Sequence, residues 1–201
     1  MSFYSKLEAV NSMLLESGEH IVNDLSSTEG VDTSIAQFVL EQTIKSMITR
    51  GLANNRFETN IILSSTGQIY LPPNTVYAES MTPLRNSLGY FDRTTLKQGP
   101  NRLFNITQQT DVFLTALDVD IIINLEWEEI EGTLQKSIIA TASRDYQRIT
   151  QGSDTVDRAL AEKEMKCNIK ARATDIAKKR RTLNLNPYYL LPFVFRSPRV
   201  N

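Results

Sequence analysis

Carboxylates are the residues most ready for chemistry in this chain. Glu126, Glu128, Glu129 and Glu131 crowd together, with Asp118 and Asp120 just upstream. Paired carboxylates can serve as the acid and base of glycoside hydrolysis. A simpler reading competes with that one and outweighs it. Acidic residues gather in the first turn of a helix, where the dipole favours negative charge. Asp111 and the Ser and Thr residues supply no nucleophile motif. His20 is the only histidine and Cys167 the only cysteine, too few for a common zinc or Cys–His site. Gly67, Gly89, Gly99 and Gly132 stand apart, so no glycine-rich phosphate loop exists. Asn105-Ile106-Thr107 matches a glycosylation acceptor, which means nothing without secretion. No catalytic, cofactor or metal site is expected.

The sharpest charge feature is Lys178-Lys179-Arg180-Arg181. Three readings fit it: contact with a nucleic-acid backbone, cations favoured at a helix C-terminus, or a docking patch for an acidic protein surface. Tyr188, Tyr189, Leu191, Phe193 and Phe195 follow among prolines, with Arg196 and Arg199 beyond them. That company favours docking, and nucleic-acid binding through Lys178–Arg181 stays as the alternative. From 176 to 201 there is no Asp or Glu, so the rest of a chain of net charge −1 is acidic.

The elements that carry these groups follow from periodicity. Trp127 to Arg181 reads as two long helices joined at Gln151-Gly152-Ser153-Asp154. In the first, Ile130, Leu134, Ile138, Ile139, Ala142, Tyr146 and Ile149 form one apolar stripe. Ile130, Leu134, Ile138, Ala142, Arg144 and Tyr146 are the expected subunit-packing residues. Earlier, Tyr4–Ser17 reads as a helix stopped by Gly18. Asp32 offers an N-cap for a helix that runs to about Arg50, with Gly51 as its cap. The apolar arc of that helix, Phe38 included, is wide enough for packing on more than one side.

Between 56 and 125 short β-branched and aromatic runs replace the helical period. Candidate strands are Thr59–Leu63, Ile69–Leu71, Thr75–Ala78, Leu88–Phe91, Leu103–Phe104, Asp111–Leu117 and Asp120–Leu125. Gln98-Gly99-Pro100 is a break among them. Prolines at 187, 192 and 198 argue against helix beyond Asn184. The expected fold is therefore α+β, mainly α. It has an antiparallel helical bundle (1–55 and 126–182), a small antiparallel β insert as sheet or barrel (56–125) and an extended C-terminal tail (183–201). A single cysteine suits a reducing place of synthesis. The N-terminus lacks signal-peptide character, and no run reaches the roughly 20 apolar residues of a membrane span.

Several stretches, in order, resemble one family. Leu7-Glu8-Ala9-Val10-Asn11, leading to Leu14-Leu15-Glu16-Ser17-Gly18-Glu19, resembles the opening of the tail tubular protein A family, the head-to-tail adaptors of short-tailed phages. Thr49-Arg50-Gly51 stands where that family ends a helix in (S/T)RG, with Asn54 and Asn55 beyond and Leu52 where Trp is usual. Gly67-Gln68-Ile69-Tyr70-Leu71-Pro72-Pro73-Asn74-Thr75 resembles its G-x-I-x-LP-x-NT segment. Leu88-Gly89-Tyr90-Phe91-Asp92 is similar to its YD segment. Ala140 to Arg148, then Gly152-Ser153, resembles its A-(A/S)-R-x-(F/Y)-Q-x-R…GS helix and turn. The likeness spans about 7–175, and the last twenty-odd residues match no family motif.

The resemblance implies a virion structural part made in the host cytoplasm, not an enzyme. It implies a ring, of twelve copies in the family, between the portal above and the hexameric nozzle below. Such a ring continues the channel for double-stranded DNA and commonly offers a seat for tail fibres. No membrane partner is implied. The family's C-terminal segment reaches the portal. For this chain that expectation falls on Lys178, Lys179, Arg180 and Arg181 and on the residues from Tyr188 to Arg199 named above.

Overall fold

The structure is a computed structural model that describes residues 4–26, 30–82, 84, 94–97 and 101–185, with side chains as far as Lys179. It is a mixed α+β protein, with four helices and small antiparallel sheets among the described residues. In chain order these are α1 (Lys6–Glu16), α2 (Val31–Ile48), β1 (Arg56–Ile61), β2 (Thr75–Ser80), β3 (Thr94–Lys97), β4 (Arg102–Asn105), β5 (Leu117–Ile123), a 3-10 turn (Trp127–Glu129), α3 (Gly132–Thr150) and α4 (Asp154–Leu185). The expected strand Leu88–Phe91, the break at Gln98–Pro100 and residues 186–201 lie outside the described residues.

Local chemistry sets the helix ends. Ser5 caps α1 by accepting from the Glu8 amide, and the Glu8 carboxylate accepts from Ser5 in return. Gly18 ends that helix at φ +75 and Gly51 follows α2 at φ +73, a conformation that suits glycine. Asp32 is not the cap of α2. The helix begins one residue earlier, at Val31, after an extended Gly30. The expected helix start at Trp127 is also displaced. Glu129 accepts from the Glu126 amide and closes a 3-10 turn there, Ile130 is extended, and α3 opens at Gly132. At the far end α4 runs to Leu185, so residues 183–185 are helical rather than part of an extended tail.

Two apolar clusters form among the described residues. Among the helices, Val10, Met13, Leu14, Leu40 and Ile48 meet Trp127, Ile130, Ile138, Ala142 and Tyr146. The Trp127 indole donates to the Tyr4 carbonyl at 2.5 Å, and Gln135 holds the Tyr4 amide at 3.0 Å. Ile149 breaks the expected stripe: it is 62% exposed, in the last turn of α3 beyond the cover of its neighbours. Phe38, on the wide arc of α2, is equally exposed.

The second cluster lies in the β part, where Ile69, Leu103, Leu117, Val119 and Ile121 are buried. One sheet has the order β1-β5-β2 and the other pairs β3 with β4. Asp111–Leu117 is not a strand. Val112 makes an isolated bridge to Gln68, and regular pairing begins only at Leu117. Ile69–Leu71 likewise supplies a bridge at Tyr70 rather than a ladder, and β3 (Thr94–Lys97) is a strand the periodicity did not single out.

Asn55 joins the two parts. It is fully buried. Its side-chain amide donates to the Ile48 carbonyl at 3.1 Å and the Ile123 carbonyl at 3.0 Å. Its side-chain oxygen accepts from the Leu52 amide at 2.7 Å, and its backbone carbonyl accepts from Ile123. One side chain thus ties the end of α2 to the end of β5.

Candidate functional site

Four of the clustered carboxylates have structural partners. Glu126 and Glu129 close the 3-10 turn, Glu131 pairs with Lys178 at 2.6 Å, and Asp120 pairs with Arg56 at 2.5 Å. Glu128 is exposed, as is His20. Among the described residues no group of three or more His, Cys, Asp or Glu could hold a metal ion. No described helix is long and apolar enough to cross a membrane.

The basic end is more tied down than its sequence suggests. Lys178 reaches Glu131, while Lys179 reaches Asp175 at 2.9 Å and lies 3.4 Å from the Gly51 carbonyl. Asp175 in turn accepts from the Ala53 amide at 2.7 Å. These contacts fasten the last turns of α4 beside the joint at Asn55. Both lysines remain about half exposed. The side chains of Arg180 and Arg181, and the whole of Tyr188, Tyr189, Leu191, Phe193, Phe195, Arg196 and Arg199, lie outside the described residues.

Of the expected packing residues, Ile130, Ile138, Ala142 and Tyr146 are fully buried within this chain's own core, and Leu134 packs against it. Arg144 does something else. It holds Asp157 through two nitrogens at 2.8 and 3.1 Å and Glu164 at 2.9 Å, and Arg148 reaches Asp157 at 2.7 Å. Thr141 adds a bond to Glu164, and Ser137 one to Asn168. This polar seam replaces an apolar one between α3 and α4, because α4 turns few large apolar side chains inward. The Arg144 and Arg148 guanidiniums hold the Asp157 carboxyl well below the usual carboxylate range, and the two carboxylates raise Arg144 in return. Asp145 is pushed the other way, chiefly by burial and then by the Glu164 charge.

The feature that periodicity missed is a trough over α3, walled by α2 on one side and α4 on the other. A hollow of 570 Å³ lies between α2 and α3, with Phe38, Asp145 and Ile149 on its walls. A second, of 230 Å³, touches Met47, Arg50, Arg172 and Ile176. A third, of 310 Å³, lies beside Met165, Ile169 and Arg172. Adjacent hollows share Arg50 or Arg172, so the three run together. Met165, Ile169 and Ile176 are each at least half exposed. With Ala173 they recur at the three- and four-residue steps of one helix face. The signal was present in the sequence, but the surrounding lysines, arginines and glutamates of α4 masked it. Arg50 and Arg172 make no ion pair among the described residues.

A helical core, a polar helical seam and a partly apolar open trough are the features the described helices present. The family of tail tubular proteins matches residues 7–181, and the chain belongs to that family. It is on that ground a structural component of a phage tail. No individual curated protein matches it.

Proposed function

We propose that the chain is a ring-forming head-to-tail adaptor, and not an enzyme. It joins the portal to the tail nozzle, continues the channel through which double-stranded DNA passes without sequence-specific contact, and offers a seat for tail fibres. Its place is the head–tail junction of the virion, after synthesis in the host cytoplasm. The ring takes the family's twelve copies. The observation that carries this reading is the trough: a tail protein that leaves Phe38, Ile149, Met165, Ile169 and Ile176 uncovered has a face suited to a neighbour. A heterologous contact of that kind forms a ring when its rotation closes.

Docking on the portal falls to Lys178–Arg181 and the aromatic and basic residues after Leu185. Tyr and Arg are residue types enriched at interface anchors. Because α4 continues to Leu185, the informative truncation starts at residue 186. Mixed with its cognate portal, the full chain gives a twelvefold ring by cryo-EM. The chain ending at Leu185 keeps its helical circular dichroism and loses portal binding. Undiminished binding by the truncated chain removes the tail from the docking role, and a portal that gathers no ring removes the adaptor reading altogether. Nucleic-acid binding through Lys178–Arg181 is less favoured, since the residues that follow are rich in tyrosine, leucine and phenylalanine, which suit a protein partner.

A further inference from the structure

The trough and α1 lie on opposite sides of α3. Thr141, Arg144, Asp145 and Arg148 line the trough side. Gln135, Tyr146 and Gln151 bond to Tyr4, Glu19 and Ser17, at the two ends of α1 and just beyond. At about 100° per residue Gln135 and Tyr146 fall on the far side of the α3 wheel from Arg144 and Arg148, and Gln151 lies just past the helix end. The outward side of α1 presents Glu8 and Leu15, seven residues apart on one face, away from the buried Ala9, Val10, Met13 and Leu14. Leu15 is 62% exposed. The trough offers exposed apolar walls with Arg50 and Arg172 at its edge. An apolar residue accompanied by a carboxylate therefore stands on one side, and an apolar hollow accompanied by guanidiniums stands on the other.

We propose that the occupant of the trough is a second copy of this chain, which lays the Glu8–Leu15 face of its α1 between α2 and α4 of its neighbour. Leu15 packs toward Met165 and Ile169, and Glu8 faces the Arg50–Arg172 edge. Donor and acceptor surfaces are different and back to back, so each copy can take one neighbour and offer itself to the next. That is the heterologous arrangement a closed ring requires. The inference rests on the adaptor reading and names the contact within it.

Cross-linking tests it. In a Cys167→Ser background, Leu15→Cys and Ile169→Cys are combined, the protein is assembled on its portal and mildly oxidised, and the products are run without reductant. A ladder of covalent multimers is expected. Leu15→Cys combined with Ile62→Cys, which puts the second thiol in the β part, gives none. Ile169→Asp lowers the yield of ring roughly tenfold or more, because it desolvates a charge in the contact, and leaves the melting temperature unchanged. Rings that form without the Leu15–Ile169 ladder give the trough to another partner and overturn the contact while leaving the adaptor reading in place. Equal ladders from both cysteine pairs overturn the contact too. A wild-type protein that never rings on portal overturns both.

Discussion

At the scale of single residues, two aspartates, Asp145 of α3 and Asp157 of α4, carry opposite consequences. Asp157 has its acidity strengthened by the Arg144 and Arg148 guanidiniums. A carboxyl held below its unfolded value stabilises the fold at pH above the ordinary range, near 4, and that contribution is lost as pH falls through the lowered value. Asp157→Asn therefore lowers the melting temperature at neutral pH, and the deficit closes in strong acid. Thermal melts at both pH values measure this, and an equal deficit at both would show the loss to be packing alone. Asp145 is held above its ordinary value by burial. Its charge opposes folding once pH rises past the unfolded value, so Asp145→Asn raises the melting temperature at neutral pH and does nothing in acid. Residue-scale roles were the least legible part of the sequence. The Glu126–Glu131 cluster read as helix-start acid, yet Glu131 is the partner of a lysine 47 residues away, a distance along the chain that no local pattern encodes.

At the scale of elements, the sequence was legible wherever an amphipathic period met a buried face. Ile130, Ile138, Ala142 and Tyr146 lie in the core because α1 and α2 cover that side of α3. Ile149 fits the same period, but the cover ends before it does. Periodicity gives a face without saying how far its neighbour extends. Strand limits shift from those the sequence suggests for a related reason: short runs such as Asp111–Leu117 carry β-branched residues whether or not a partner strand is available. Ile138→Ala removes a fully buried side chain and costs about 2–5 kcal/mol, measurable by denaturant unfolding. Asn55→Ala strips partners from the Ile48 and Ile123 carbonyls and the Leu52 amide. A loss of about 1–3 kcal/mol is expected for leaving such groups unpaired, with faster amide exchange concentrated at Leu52, whose N–H loses its acceptor. Exchange that rises uniformly through the helices instead would show that Asn55 is one more core residue and not the tie between the two parts.

At the scale of the whole molecule, the family was legible because its short motifs recur in order, while the surface that suits assembly was not. Apolar residues that await a partner look, in one chain, like solvent-facing exceptions. Met165→Asp separates the two roles. Stability shifts by no more than about 0.5 kcal/mol, as for other exposed positions, while ring assembly on portal is lost; a large fall in melting temperature would return Met165 to the chain's own core. The anchoring of α4 has a mechanical consequence. Near its C-terminal end the helix is fastened by Lys178 to Glu131 and by Asp175 to the Ala53 amide, and toward its start by Asp157 and Glu164 to Arg144. Tension applied beyond Leu185 along the helix axis enters all of these fastenings in parallel, as shear. They must yield together rather than peel one after another, so the weakest bond does not set the strength of the joint.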